Sequence, residues 1–155
     1  QSGFTAGRST ADAILTLQLL SEIHREFNRA LCVAYLDLKS AFDSVDRTAL
    51  WKVMQKVGVA PFLLKLIEYL HSCTKARIRL GKHMSDSFLT NSGVRQGCIL
   101  APALFCRAID WIMEHLSIEF GIQLGPSHLT DLDYADDIVA LGTSPNQLAD
   151  FLSNF

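Results

Sequence analysis

The sequence predicts an α+β domain whose strands carry acidic residues at their ends. Three observations lead there. Helical and strand-like segments alternate along all 155 residues, with no internal repeat and no linker. Leu129 to Leu141 reads as two short strands folded about the adjacent pair Asp136-Asp137. A further carboxylate, Asp37, closes a separate apolar strand-like run, Leu31 to Leu38.

The elements follow in order. Ser9 or Thr10 caps a helix to about Arg29, with Ile14, Leu17, Leu20, Ile23 and Phe27 near helical spacing. Leu31 to Leu38 is a buried strand, followed by a turn. Asp46 caps a helix from Arg47 to about Val57, which Gly58 closes. Pro61 opens the next helix, through about Cys73. Arg77–Leu80 and Ser87–Thr90 form a hairpin around Gly81-Lys82. Pro102 opens a long helix ending near Glu119, with Gly121 as its stop, and Ile122 to Leu124 is a short strand. Ser144-Pro145 starts a last helix that the end of the sequence cuts short.

Composition narrows the class. A chain of 155 residues fits one domain that buries roughly 70% of its unfolded surface. With 49% hydrophobic and 19% charged residues it is globular, without a disordered tail. No apolar run reaches the ~18 residues of a membrane span, and no cleavable leader opens the chain. It starts at Gln1 with its first motif already under way, as expected of a fragment of a longer protein. The net charge of −2 excludes a strongly basic nucleic-acid glove. Cysteines at 32, 73, 98 and 106 form neither CxxC nor a zinc spacing, so free buried thiols in a reducing compartment are expected.

The chemistry concentrates in TDLDYADDIVAL, where Asp131, Asp133, Asp136 and Asp137 fall within seven residues. Like charges this close raise one another's pKa or call for a cation, and a hard divalent metal suits oxygen ligands. Neighbours on one strand point to opposite faces, so Asp136 and Asp137 can share a site only at a hairpin tip. Asp136 is then the second direct metal ligand beside Asp37, and Asp137 a weaker or orienting carboxylate. Asp131 and Asp133 read as solvating the strand that enters the site. An EF-hand is excluded, because counting from Asp131 puts Asp136 where glycine is needed and Gly142 where glutamate is needed.

Other residues are read two ways. Phe42 stands five positions after Asp37. If Asp37 holds metal and triphosphate, that ring lies under the incoming sugar and leaves no room for a 2′-hydroxyl; core packing explains the same residue. Asp43 and Asp46 are caps of the following helix. In Gly93-Val94-Arg95-Gln96-Gly97, the glycines let backbone approach a base or sugar, Gln96 can hydrogen-bond it and Arg95 can reach a phosphate; a plain strand-to-helix loop is the simpler account. Gly3 to Thr10 lacks the second glycine and lysine of a P-loop, and Arg8 at a helix start either holds phosphate or only joins the cap. Lys75, Arg77 and Arg79 alternate on one strand face, with Lys82 and His83 beyond. They form either a backbone-binding patch or a solvated edge.

Taken together, these motifs resemble the reverse transcriptase domain of non-LTR (LINE-type) retrotransposons over essentially the whole chain. QSGFTAGRST is similar to the segment before the first catalytic motif. AYLDLKSAFDSVDR is similar to that motif, SGVRQGCILAPALF to the glycine–glutamine motif, and YADD to the second catalytic motif. The resemblance implies a right-hand polymerase palm, an antiparallel sheet backed by helices, with part of the fingers and truncated before the thumb. Residues 1–30 would be the fingers-to-palm segment and 31–155 the palm. It implies Asp37, Asp136 and Asp137 as catalytic metal ligands for two Mg2+ ions, with Mn2+ as a substitute. It implies Phe42 as the sugar gate and Arg95, Gln96 and Gly97 as nucleotide-binding residues. The implied partners are an RNA template, a DNA primer or target end and deoxynucleoside triphosphates, in the cytoplasm and nucleus, with no membrane.

Thr5-Ala6 and Ala101 depart from the family pattern. The remaining fingers, the thumb and an endonuclease region are expected elsewhere in a parent chain, so residues 1–155 alone are not expected to polymerise. Two other readings stand beside this one. The first is a decayed or domesticated palm that only binds nucleic acid; the second is an RNA-dependent RNA polymerase or intron-type relative. Intact aspartates speak against the first, and Phe42 against ribonucleotide use.

Overall fold

A computed structural model describes residues 1–116 and 120–155. The chain forms two compact units, one of residues 1–38 with 109–155, the other of residues 39–108.

The first unit is built on a three-stranded antiparallel sheet. Its strands are β1 (Cys32–Asp37), β8 (Asp131–Tyr134) and β9 (Asp137–Gly142), in the order β1-β9-β8. The central β9 pairs along its whole length with β1, from Cys32↔Gly142 to Asp37↔Asp137. On its other side it pairs with β8, from Asp131↔Ala140 to Tyr134↔Asp137. Being central, β9 is apolar on both faces: Ile138, Ala140 and Leu141 are buried.

Pleat alternation sorts these side chains. Ala140 joins Phe120, Leu148 and Phe151 on one face, where helix α6 (Pro145–Asn154) packs. Leu141 joins Leu20 and Ile122 on the other, where helix α1 (Thr10–Glu26) and the hairpin of β6 (Ile122–Leu124) and β7 (Ser127–Leu129) cover the sheet. The strand at 127–129 was not expected from sequence.

α1 starts at Ser9, whose N–H donates to the Asp12 carboxylate at 2.8 Å. It ends three residues before the expected Arg29. Only Leu20 and His24 of this helix are buried, while Ile14, Ile23 and Phe27 are exposed. The periodic stripe is therefore wider than the face that packs. β1 is also less buried than expected: its side chains are at most half-buried, and Tyr35 is 73% exposed. α6 begins where Ser144-Pro145 predicted, with the Ser144 hydroxyl accepting from Gln147 N–H at 3.3 Å.

The second unit holds three helices, two small ladders and the first half of α5 (Ala101–His115). A short α2 (Ala41–Ser44) replaces the expected turn. α3 (Arg47–Lys56) is capped by Asp46, which accepts from Ala49 N–H at 2.9 Å, and α4 (Pro61–His71) begins at its proline. The strands that follow α4 differ from the expected hairpin. β3 (Arg79–Leu80) and β4 (His83–Met84) close around Gly81-Lys82, while β5 (Phe88–Leu89) pairs with β2 (Lys75–Ala76). The ladders are nested, so the turn was placed correctly and its partner strand was not. Lys75 and Arg79 consequently lie on different ladders, and the expected single basic strand face is absent.

The expected end of the long helix near Glu119 lies outside the described residues; the described helix stops at His115. Among the described residues no helix is long and apolar enough to cross a membrane.

Candidate active site

At one end of the three-stranded sheet, β1 finishes on Asp37 and β9 begins on Asp137, and these two are direct cross-strand partners. Directly opposed residues of a ladder point to the same face with Cβ atoms about 5 Å apart. The β8–β9 hairpin turns on just two residues, Ala135 and Asp136, so Asp136 stands at the tip beside Asp137. The hairpin required by the acidic pair is thus present, and all three aspartates stand at the same end of the sheet. The structure puts Asp137 opposite Asp37, with Asp136 next to it in the turn.

The other two carboxylates go elsewhere. Asp131 and Asp133 pair with Ala140 and Ile138, so alternation puts them on the α6 side, away from Asp37 and Asp137. Asp133 does not solvate its strand: it is only 5% exposed. Burial, then the neighbouring Asp131 charge, push its carboxyl up to about 7. The two carboxyls share a hydrogen bond, and Asp131 accepts a second one from the Thr130 hydroxyl. Oδ1 of Asp133 has no partner among the described residues. Asp131 and Asp133 thus stand apart from Asp136 and Asp137, as expected, but on the opposite face of the sheet and, for Asp133, buried rather than solvated.

The turn is held from the start of the chain. Gln1 Oε1 accepts from Ala135 N–H at 2.8 Å, and Gln1 Nε2 donates to the Ala135 carbonyl at 3.1 Å. Ser2 donates its N–H and its hydroxyl to the Asp133 carbonyl, at 2.8 and 2.7 Å. The two residues that precede the P-loop-like segment thus contact the acidic hairpin.

In the second unit, the loop containing Arg95, Gln96 and Gly97 packs on the short helix after β1. Val94 N–H donates to the Phe42 carbonyl at 2.8 Å, and Gly93 N–H to the Val45 carbonyl at 2.8 Å. A Cβ on Gly93 would meet Asp43 Cα at 2.7 Å, and its φ is +78°, so glycine is required there twice over. Gly97 sits at φ +86° in open space, inside a turn closed by Cys98 N–H to the Arg95 carbonyl at 2.8 Å. The Phe42 ring stacks on buried Phe105 at 4.4 Å between centroids and 13° between planes. Its position is fixed by packing, and it remains half-buried.

Arg95 and Gln96 are exposed and line a cavity of about 490 Å³ together with Asp43, Arg47, Lys75 and Ser92. Arg95 donates one long hydrogen bond, 3.2 Å, to the Leu70 carbonyl. Asp43 lines this cavity and is not the cap of α3, a role that belongs to Asp46 alone.

Arg47 was missed by the sequence reading. Its guanidinium donates to three carbonyls, Gly93 at 2.7 Å, His71 at 2.8 Å and Thr90 at 2.9 Å, tying α3 to the end of α4 and to the glutamine loop. Burial, then the charge of Arg95, lower its pKa. A signal was available: a cation in the first turn of a helix opposes the macrodipole, so it needs another reason to be there.

A sheet end that presents two carboxylates across a ladder, with a third in the adjoining turn, defines a candidate phosphoryl-transfer site. Residues 1–155 match the family described as reverse transcriptase (RNA-dependent DNA polymerase), and the chain belongs to that family. Its relatives include the Retrovirus-related Pol polyprotein from type-1 retrotransposable element R2 of Nasonia vitripennis, 27% identical over 153 residues, 99% of this chain and 15% of the relative. The corresponding polyprotein of the type-2 element R2DM of Drosophila melanogaster is 26% identical over 140 residues, 90% of this chain and 13% of the relative. That of the type-1 element R2 of Popillia japonica is 27% identical over 142 residues, 88% of this chain and 23% of the relative. The non-LTR resemblance read from the motifs is therefore upheld, and the chain spans less than a quarter of each of these relatives.

Among the described residues, no three His, Cys, Asp or Glu side chains gather closely enough to cage a metal ion. Mg2+ in phosphoryl-transfer sites is held by one or two carboxylates plus substrate phosphates and water, so a complete protein cage is not required. Like charges placed directly opposite on a ladder are unfavourable without a counter-ion. The Asp37–Asp137 pair, with Asp136 beside it, fits a hard cation on that ground.

Proposed function

We propose that this domain is the palm of an RNA-directed DNA polymerase that adds deoxynucleotides to a primer 3′-hydroxyl on an RNA template. The observation that carries the reading is the register pairing of Asp37 with Asp137, beside Asp136 at the hairpin tip. Family membership supports the template and nucleotide classes. The palm would include residues 31–155, with residues 1–30 leading in from the fingers.

Asp37 and Asp136 would hold two Mg2+ ions (Mn2+ as a substitute), and Asp137 would assist from its place opposite Asp37. When bound, the ions supply activation of the primer hydroxyl and neutralise charge on the triphosphate and leaving pyrophosphate. The aspartates themselves fix where the reacting oxygens and phosphorus meet, because they stand on a paired ladder and a two-residue turn rather than on a mobile loop. Phe42 would act as a steric sugar gate, its ring braced by Phe105. Gln96 and Gly97 would position base and sugar. Arg95, beside Lys75 at the cavity wall, would meet phosphate. The substrates and partners would be deoxynucleoside triphosphates, an RNA template and a DNA primer or target end, inside the cell. Fingers, thumb and an endonuclease would come from elsewhere in a longer polypeptide.

The test is primer extension on an RNA template by the full polypeptide that carries this domain. Wild type should extend with deoxynucleotides in Mg2+, and Asp136→Asn should not. Extension retained in Asp136→Asn removes the catalytic assignment. Binding of template–primer without extension by the wild type favours a palm kept only as a nucleic-acid scaffold.

A further inference from the structure

We propose that Gln1, Ser2 and Gly3 form a positioning clamp for the turn that carries Asp136, an inference that rests on the reading of Asp136 as a metal-holding carboxylate. The β8–β9 connection is a two-residue turn whose first residue, Ala135, has φ +58°. Residues with a Cβ adopt that region rarely, and glycine is the usual occupant of such a turn position. Something outside the hairpin must therefore hold Ala135.

Three consecutive residues do so by different means. The Gln1 side-chain amide closes both polar groups of the Ala135 backbone, accepting from its N–H at 2.8 Å and donating to its carbonyl at 3.1 Å. The same Oε1 accepts from Gly3 N–H at 2.7 Å, which locks the amide in place. Ser2 donates twice to the Asp133 carbonyl. Gly3 lies so close that a Cβ there would fall 2.2 Å from Ala135 N and 2.8 Å from Ala135 Cα. Ala135 itself is buried by this contact region, at 6% exposure.

The consequence reaches Asp136 through one peptide plane. The Ala135 carbonyl belongs to the peptide that joins Ala135 to Asp136. Holding that oxygen fixes the rotation of the plane, and with it the direction in which the Asp136 side chain leaves the turn. These hydrogen bonds end on backbone atoms of residues 133 and 135, so the segment acts on the turn and not on substrate. A displacement of about 1 Å at a catalytic group can cost about 100-fold in rate.

The experiment compares wild type, Gln1→Met, Gly3→Ala, the double variant and Asp136→Asn in the full polypeptide. Gln1→Met keeps length and removes the amide; Gly3→Ala keeps the amide and adds the colliding carbon. Two readouts are taken: amide hydrogen exchange across residues 131–142, and kcat and KM in primer extension. The clamp predicts faster exchange at 134–136 in both single variants, with unchanged exchange at 138–142. It predicts kcat lower by roughly 10- to 100-fold with KM for template–primer unchanged. It also predicts a double variant little worse than either single one, because both act on the same turn.

Unchanged exchange at 134–136 overturns the clamp, whatever the activity. Uniformly faster exchange through 138–142 also overturns it, since that pattern marks general loosening of the sheet. If Asp136→Asn keeps extending primers, the reading of Asp136 falls instead, and the exchange result decides separately whether the clamp on the turn exists.

Discussion

Replacing Asp133 by Asn should flatten the dependence of stability on pH. Asp133 is buried on the α6 side of the sheet with one unpartnered oxygen, and its carboxyl is pushed from 3.8 up to about 7 by burial and by Asp131. The folded state therefore favours the protonated form. Stability from this group is fully present below about pH 4. It is lost between about pH 4 and pH 7, where the unfolded chain has released this proton and the folded chain still holds it. A shift of about 3 pH units sets a ceiling of about 4 kcal/mol on the loss, at 1.36 kcal/mol per unit. Water entry and relaxation bring the expected figure to about 2 kcal/mol. Asn has the shape of the neutral acid and can still donate to Asp131, so it should cost little at pH 5. The assay is denaturant unfolding of wild type and Asp133→Asn at pH 5 and pH 8, with chelator to exclude divalent ions. Wild type should lose about 1.3 kcal/mol more than the variant across that interval, because about a third of the total is already lost below pH 5. Parallel curves would refute the buried, proton-holding account of Asp133.

Three further outcomes follow from packing and steric arguments. Arg47→Met should strip donors from the Gly93, His71 and Thr90 carbonyls and cost about 2 kcal/mol, read by denaturant unfolding, with hydrogen exchange rising first in residues 90–97. Phe151→Ala should cost about 3–5 kcal/mol, because Phe151 is fully buried among Phe120, Ala140 and Leu148; a loss under 1 kcal/mol would mean that cluster is not a core. Phe42→Val should raise ribonucleotide incorporation relative to deoxynucleotide, and an unchanged ratio would end the sugar-gate assignment.

What was legible in the sequence was local. Asp46, Pro61 and Ser144-Pro145 marked helix starts because caps and prolines act within one turn. The acidic hairpin was legible because adjacent aspartates can share a site only at a tip. The nested ladders of residues 75–89 were not, since two-residue strands carry too little alternation to declare a partner. The division of the acidic cluster between two faces was legible in principle. Asp131 and Asp133 share a parity within β8, and the register pairs Asp133 with Ile138 while Asp137 faces Tyr134. Without the register, Asp131 and Asp133 could be set apart from the site pair but not assigned to the buried face. The contacts of Gln1 with Ala135 span 134 positions and leave no local pattern. Arg47 offered only its unfavourable place at a helix start. Phe42 packs on Phe105 and still leaves part of its ring accessible, so the packing role is present and does not exclude the gating one.

The most direct test of the whole account is primer extension by Asp37→Asn set beside Asp133→Asn, in the full polypeptide with an RNA template and Mg2+. The sheet separates these two aspartates, and only the face of Asp37 and Asp137 is assigned to catalysis. Loss of extension by about 1,000-fold or more in Asp37→Asn, with Asp133→Asn within about threefold of wild type, is the predicted result for removing a metal-holding carboxylate and sparing a remote one. Equal losses in both, or a larger loss in Asp133→Asn, would contradict it.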